Sequence, residues 1–180
     1  GDVALYPVVE TIHERNICQQ VYAPAPIPRG LHRSADAVAR QVAGHLIGAG
    51  VFGIELFLTD EDEILINEIA PRVHNSGHYT MDACYTSQFE QHIRAITGLP
   101  LGDTALFTTA AVTINILGER DGDTEVIGLD KALLQPQTKV HLYGKAPTKV
   151  DRKMGHINSN GETLGQAQSR ARIARDNIEI

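Results

Sequence analysis

The sequence predicts an α+β protein of two pieces that divide near residue 100, and three patterns carry that prediction. Two apolar runs, Phe52 to Thr59 and Ile64 to Ala70, flank an acidic turn and read as an antiparallel hairpin. A helix follows from Ser87, where Ser87 and Glu90 form a capping box and Phe89, Ile93 and Ile96 recur on one face before Gly98 and Pro100. After the turn-rich LPLGDT the pattern changes to the β-branched TTAAVTINILG, which opens a second set of strands and helices.

Taken in order, Ala4 to Glu10 and Ile17 to Tyr22 read as strands joined by the polar turn THERN. The proline-rich APAPIPRG is a loop. Ser34 then caps a helix to about Ile47, with Ala37, Val38, Val42, His45 and Leu46 on its semi-apolar face, ended by Gly48 and Gly50. Beyond residue 100, a short helix near Lys131 to Leu134 precedes the strand KVHLYG. A strand around Gly155 to Asn158 and a polar helix from Glu162 to Asp176 follow. There is no internal repeat and no low-complexity tract.

Composition narrows the function classes. With 42% apolar and 21% charged residues, 180 residues hold one sizeable core or two small ones. A formal charge of -6 argues against a general nucleic-acid binder and leaves room for a local basic pocket. No apolar run reaches membrane-spanning length, and the N-terminus lacks a secretory pattern. Cys18 and Cys84 have no metal-binding spacing and no support as a disulfide, so a reducing cytoplasm is the expectation. The chain enters VALYPVVE directly from Gly1, without methionine, which reads as a piece of a longer protein, with tag removal as the alternative.

The hairpin places carboxylates inside apolar runs, where an ionised side chain needs a partner or a cation to offset its desolvation. A tight turn at TDEDE sets Thr59 opposite Ile64, Phe57 opposite Ile66 and Glu55 opposite Glu68. The other face is then Phe52, Ile54, Leu56 and Leu58 against Leu65 and Ile69, interrupted by Asn67. Like charges directly opposite repel unless something positive lies between them, and Mg²⁺ or Mn²⁺ suits an oxygen-only pair that also meets phosphates. A solvated face is the bland alternative for two glutamates. The polar segment just downstream weighs against it: Arg72 can clamp a carboxylate or phosphate, and HNSGH supplies His74, Asn75, Ser76 and His78 as a hydrogen-bonding loop. A zinc pair of His74 and His78 lacks a third ligand, and Gly77 interrupts any helix between them.

ELF, NEIAPRVHNSGHYT and SQFEQHIRAITGLPLG resemble the carboxyaminoimidazole ribonucleotide synthetases, the ATPase subunits of phosphoribosylaminoimidazole carboxylase in the ATP-grasp superfamily. The likeness runs from YPVVETIH through APAPIP to INILG, HLYGK and RKMGH. It implies that residues 1–100 are the C-terminal portion of an ATP-grasp domain, an antiparallel sheet with helices from the large lobe. Residues 101–180 become a small α+β domain closing the ribonucleotide site. It further implies ATP-dependent carboxylation of aminoimidazole ribonucleotide by bicarbonate through carboxyphosphate, in purine biosynthesis.

By position, Glu55 and Glu68 look like the Mg²⁺ ligands, Asn67 and Glu68 part of the ATP-phosphate site, and His13 an ATP contact. Arg72 and His74 look catalytic and, with Asn75 and Ser76, hold the ribonucleotide and carboxyphosphate. Lys145 and Arg152 grip the ribonucleotide phosphate, in a segment that otherwise reads as a solvated basic loop. Ala70 stands where the superfamily often has asparagine, and Thr11 where the family often has it. Family members carry an N-terminal half whose lysine and glycine-rich loop cover ATP, and nothing in these residues replaces that loop. The chain is therefore expected to act with that missing half, as a possible homodimer, beside a separate or fused mutase or carboxylase domain, and to be catalytically poor alone. Alternatives are a non-catalytic phosphoribonucleotide-binding fragment and another ATP-grasp carboxylate ligase.

Overall fold

The computed structural model describes the whole chain, Gly1–Ile180. Two compact units result, and neither is a continuous stretch: one comprises Gly1–Val9 and Pro24–Phe107, the other Glu10–Ala23 and Thr108–Ile180. Both sheets are antiparallel and both units carry helices, as the predicted α+β class requires.

The first unit contains α1 (Arg29–His45), the hairpin β3 (Gly53–Leu58) and β4 (Ile64–Ala70), α2 (Thr80–Ala83) and α3 (Gln88–Ile96). Helix α1 begins earlier than Ser34. Pro28 precedes it with φ -56 and ψ 145, a ring pre-set to lead into a helix, and no side chain caps it. Ser34 instead sits one turn inside and donates to the Gly30 carbonyl at 3.2 Å. Ala35 is buried and Val38, Val42 and Leu46 are half-buried, whereas Ala37 and His45 face solvent.

Helix α3 starts at its expected cap, with the Glu90 amide donating to Ser87 Oγ at 3.2 Å, and ends before Gly98 at φ 72. Its apolar stripe is not its buried face. Phe89, Ile93 and Ile96 are 40%, 54% and 50% exposed, and the buried positions are Gln88 and Gln91. Gln91 is held by Gly102 alone, accepting from its amide at 2.8 Å and donating to its carbonyl at 2.9 Å. Replacing Ser87 with alanine is expected to cost about 1 kcal/mol, and Ser34→Ala to stay within roughly ±0.5 kcal/mol, read from urea midpoints at constant slope.

The second unit is a five-stranded sheet in the order β1-β2-β5-β7-β6, formed by β1 (Glu10–Glu14), β2 (Ile17–Ala23), β5 (Ala110–Leu117), β6 (Thr138–Leu142) and β7 (Lys153–Gly161). Strand β1 runs through the expected THERN turn, and Ala4–Val9 form no strand. The chain reverses at Arg15 and Asn16 alone, at φ 49 and 62, the left-handed pair of a two-residue hairpin turn. Because β2 pairs with β5, this hairpin joins the later sheet across more than eighty intervening residues, and a single cut near residue 100 does not separate the units.

Every residue of β5 is buried. Helix α5 (Leu164–Asp176) lays Ala167, Ala171 and Ala174 on Val112, Ile114, Ile116, Met154 and Ile157. The alanine spacing of one turn lets the helix approach the sheet closely, which is why so polar a helix has a buried face. Thr163 caps it, and the short α4 (Leu129–Ala132) precedes β6. Both cysteines are buried and unbridged, and burial, with Asp103 adding, pushes the Cys84 thiol up to about 12. No helix is long and apolar enough to cross a membrane.

Candidate functional site

Glu55 on β3 does face Glu68 on β4. Ile54 opposite Ile69 keeps the expected register, whereas toward the turn it is displaced by one: Leu58 pairs Ile64, Phe57 pairs Leu65 and Leu56 pairs Ile66. A bulge between Glu55 and Leu56 absorbs the difference, and Asn67 is the extra residue on β4. Asn67, which interrupted the expected apolar face, is thereby re-aimed: its Nδ2 donates to Glu55 Oε2 at 3.3 Å. The outer half of the hairpin is not a core face, since Phe57, Leu58, Leu65 and Ile66 are all exposed.

Past β4, Arg72 folds back locally, its Nη1 donating to the Val73 carbonyl at 3.0 Å. The loop then turns into a single 3₁₀ turn, Asn75–Gly77. His74 is its cap, and the imidazole Nδ1 accepts from the Ser76 amide at 3.4 Å. An accepting Nδ1 makes the Ser76 hydroxyl, at 2.8 Å, a donor to the same nitrogen and leaves the ring proton on Nε2. That Nε2 lies 3.6 Å from Glu55 Oε1, too far for a hydrogen bond and close enough for electrostatic attraction. Glu55, Asn67, Glu68, His74 and Ser76 are thus gathered, with Glu55 common to the hairpin and the loop.

These residues fit a hard cation incompletely by themselves. Opposed carboxylates and a neighbouring amide are oxygen donors of the right kind, yet no group of three or more His, Cys, Asp or Glu could hold a metal ion. A cation here needs oxygens from another source, which phosphates supply. His74 and His78 gain no third ligand that would make a zinc site of them, and the Nδ1 of each is engaged, by Ser76 at 2.8 Å and by Gln88 at 2.9 Å.

The remaining candidates belong to the second unit. His13 lies on β1 at a bulge after Ile12, opposite Cys18, and is exposed. Lys145 and Arg152 lie on the connection between β6 and β7. Lys145 Nζ donates to the Lys153 carbonyl at 2.7 Å and stands 5.0 Å from the centre of the Tyr143 ring. Arg152 Nη1 donates to the Pro147 carbonyl at 2.6 Å. Burial, with the charges of Arg152 and Lys153 adding, lowers the Lys145 pKa from its ordinary value. Cations crowded in this way repel one another, and an arriving anion would relieve that repulsion.

Sequence reasoning missed Gln88 and Tyr143. Gln88 bonds the backbone of His74 from both ends of its amide, with Oε1 accepting at 2.9 Å and Nε2 donating at 2.8 Å. Tyr143 lies beneath Lys145 and bonds His156 Nδ1 through its hydroxyl at 2.9 Å. No periodic signal marks either, since the hydrogen bonds of Gln88 to His74 and of Tyr143 to His156 span 14 and 13 residues.

Residues 1–89 match the ATP-grasp domain, and residues 111–170 match the phosphoribosylaminoimidazole carboxylase C-terminal domain. The phosphoribosylaminoimidazole carboxylase of Candida albicans is 50% identical over the whole of this chain, which covers 33% of that protein. The structure of N5-carboxyaminoimidazole ribonucleotide synthetase from Thermotoga maritima superposes with a TM-score of 0.90 at 46% identity, over 99% of this chain and 48% of that one. The N5-carboxyaminoimidazole synthase of Aspergillus clavatus, in complex with ADP and 5-aminoimidazole ribonucleotide, gives 0.88 at 40% identity, over 95% of this chain and 46% of that one. The chain thus spans about a third to a half of the length of these relatives, and on both domain matches it belongs to the ATP-grasp family of N5-carboxyaminoimidazole ribonucleotide synthetases.

Proposed function

We propose that this chain is part of an enzyme that uses ATP and bicarbonate to carboxylate the amine of aminoimidazole ribonucleotide, in purine biosynthesis. The observation that carries the reading is the bulged hairpin, which opposes Glu55 and Glu68, adds Asn67 to them and joins them through Glu55 to His74. Glu55 and Glu68 would hold Mg²⁺ or Mn²⁺, and Asn67 with Glu68 would meet ATP phosphates, with His13 as a further ATP contact. The cation, when bound, neutralises phosphate charge as it shifts.

In the reaction, a bicarbonate oxygen attacks the γ-phosphorus and the bond to ADP breaks, giving carboxyphosphate. The ribonucleotide amine then takes the carboxyl carbon, phosphate leaves and the amine loses a proton. Arg72 would stabilise phosphate oxygens, and His74 would present its Nε2 proton to the reacting carboxyl group. Asn75 and Ser76 would orient the acceptor, and Lys145 and Arg152 would bind its phosphate. Residues 1–100 would supply the ATP-grasp portion and residues 101–180 the part that closes the ribonucleotide site. The remaining lobe, a homodimeric state, a mutase or carboxylase partner and a cytoplasmic setting belong to the same proposal.

The test is ATP hydrolysis stimulated jointly by bicarbonate and aminoimidazole ribonucleotide in a chain of the family's full length. Lys145→Gln is expected to raise the KM for the ribonucleotide by roughly 10- to 100-fold, one charge-assisted contact, and to leave the KM for ATP unchanged. Absence of joint stimulation would sink the assignment. Robust turnover by the 180 residues alone would show that no second lobe is needed.

A further inference from the structure

We infer that Gln88 is the positioning residue of the 74–78 loop, and that its amide fixes the ring proton of His78 on Nε2. The catalytic meaning rests on the functional reading above; the geometry does not. Gln88 is 2% exposed at the first position of α3. Its Oε1 accepts from the His74 amide at 2.9 Å, and its Nε2 donates to the His74 carbonyl at 2.8 Å. A single backbone residue offering one donor and one acceptor admits only one orientation of a side-chain amide. The flipped form would set N–H against N–H and carbonyl against carbonyl.

With the amide so fixed, its second N–H points at His78 Nδ1, 2.9 Å away. Nδ1 has to accept, and the neutral ring then carries its hydrogen on Nε2. Phe89 stacks on the same imidazole at 5.9 Å between ring centres and 17° between planes, which limits its rotation. Gln88 is anchored in turn: its own amide donates to Thr80 Oγ1 at 2.9 Å, and that hydroxyl donates to the Gly77 carbonyl at 2.6 Å.

Close approach completes the arrangement. A Cβ at Gly77 would lie 2.5 Å from Gln88 Oε1 and 2.8 Å from its Cδ, so only glycine leaves room for the amide. One buried side chain therefore touches residues 74, 77 and 78, and the aim of Asn75 and Ser76 between them follows from it. The Gln88 amide is spent on His74 and His78, so its effect passes through the loop.

The tautomer is read from long-range proton–nitrogen spectra of the chain labelled with ¹⁵N-histidine, which distinguish a bare ring nitrogen from a protonated one. The expected result is a bare Nδ1 and a protonated Nε2 for His78 at neutral pH. A protonated Nδ1 in the wild-type chain overturns the proposal without any variant. Gln88→Glu offers only accepting oxygens when ionised, and is expected to move a proton onto Nδ1. In a chain of the family's full length it is also expected to lower kcat/KM for the ribonucleotide on the order of 10²-fold, with the KM for ATP unchanged. An unaltered His78 spectrum in that variant overturns the inference. Should Gln88→Glu fail to fold, Gln88→Met keeps the volume and removes the donor. Mixed His78 tautomers then support the inference, and a single unchanged one overturns it. If ribonucleotide dependence is absent from the wild-type enzyme while the spectra are as expected, the functional reading fails and the positioning role stands.

Discussion

Replacing Glu55 with glutamine is expected to abolish stabilisation by Mg²⁺-nucleotide while leaving the ligand-free protein no less stable. The sign follows from the pairing. Glu55 lies directly across the hairpin from Glu68, and like charges so placed repel. A glutamine keeps the shape and the oxygen that accepts from Asn67, and removes the repulsion. It also removes half of the charge that a divalent cation would neutralise. A ligand at a hundredfold excess over its dissociation constant stabilises a protein by about 2.7 kcal/mol. That shift in melting temperature is the quantity to compare between wild type and variant, in a chain of the family's full length. Turnover is expected to fall on the order of 10²- to 10³-fold, the usual consequence of losing one electrostatic group at a reacting phosphoryl or acyl centre. A variant whose melting temperature still rises with Mg²⁺-nucleotide as the wild type's does would remove Glu55 from the metal site.

The largest expected loss of stability comes from Gly128→Ala, far from those carboxylates in sequence. Gly128 precedes α4 at φ 79, where a side chain is strained by roughly 1 to 2 kcal/mol. An added Cβ would also run into the Asn177 carbonyl, a backbone atom that cannot rotate away. The neighbouring Ile127 and Glu179 exchange backbone hydrogen bonds at 3.0 and 3.2 Å, so the two segments cannot part without losing both. Overpacking adds about 1 to 3 kcal/mol, for a total of roughly 2 to 5 kcal/mol out of the typical 5 to 15 of a folded domain. Urea denaturation at unchanged slope measures it, and a loss under 1 kcal/mol would mean that the Asn177 segment gives way.

The parts of this fold legible in the sequence are those set by local chemistry. Ser87 caps α3 because its hydroxyl accepts from the amide three residues on, although the Glu90 carboxylate bonds Arg94 instead of closing a capping box, and β4 stops at Ala70 because Pro71 follows. The opposition of Glu55 and Glu68 was legible too, although the pairs on its turn side were misplaced by one residue. Alternation alone cannot show a bulge, and the sign of this one was a polar Asn67 on a face expected to be apolar. Long-range pairing accounts for the rest. Nothing near Gln88 or Gln91 announces that backbone groups at His74 and Gly102 will satisfy them, so the sequence shows the apolar stripe of α3 and not the burial of the two glutamines. The hairpin of β1 and β2 likewise pairs with β5 rather than with its sequence neighbours. Of the candidate site, the carboxylates and the 74–78 loop could be named from residue types, whereas the network that aims them could not.

Gln88 and Gln91 stand three residues apart on one helix, and each does for a loop what a neighbouring strand would do, offering one acceptor and one donor to a single residue's backbone. Two stretches outside the longer helices and the strands thereby inherit the stiffness of α3. The pattern restricts what these loops can tolerate during divergence. Length changes are costly at His74 and Gly102, where a slip of one residue exchanges donor for acceptor, and far cheaper a few positions away. Exchanging either glutamine for glutamate, a change of one atom, is enough to turn an attachment point into a repulsion.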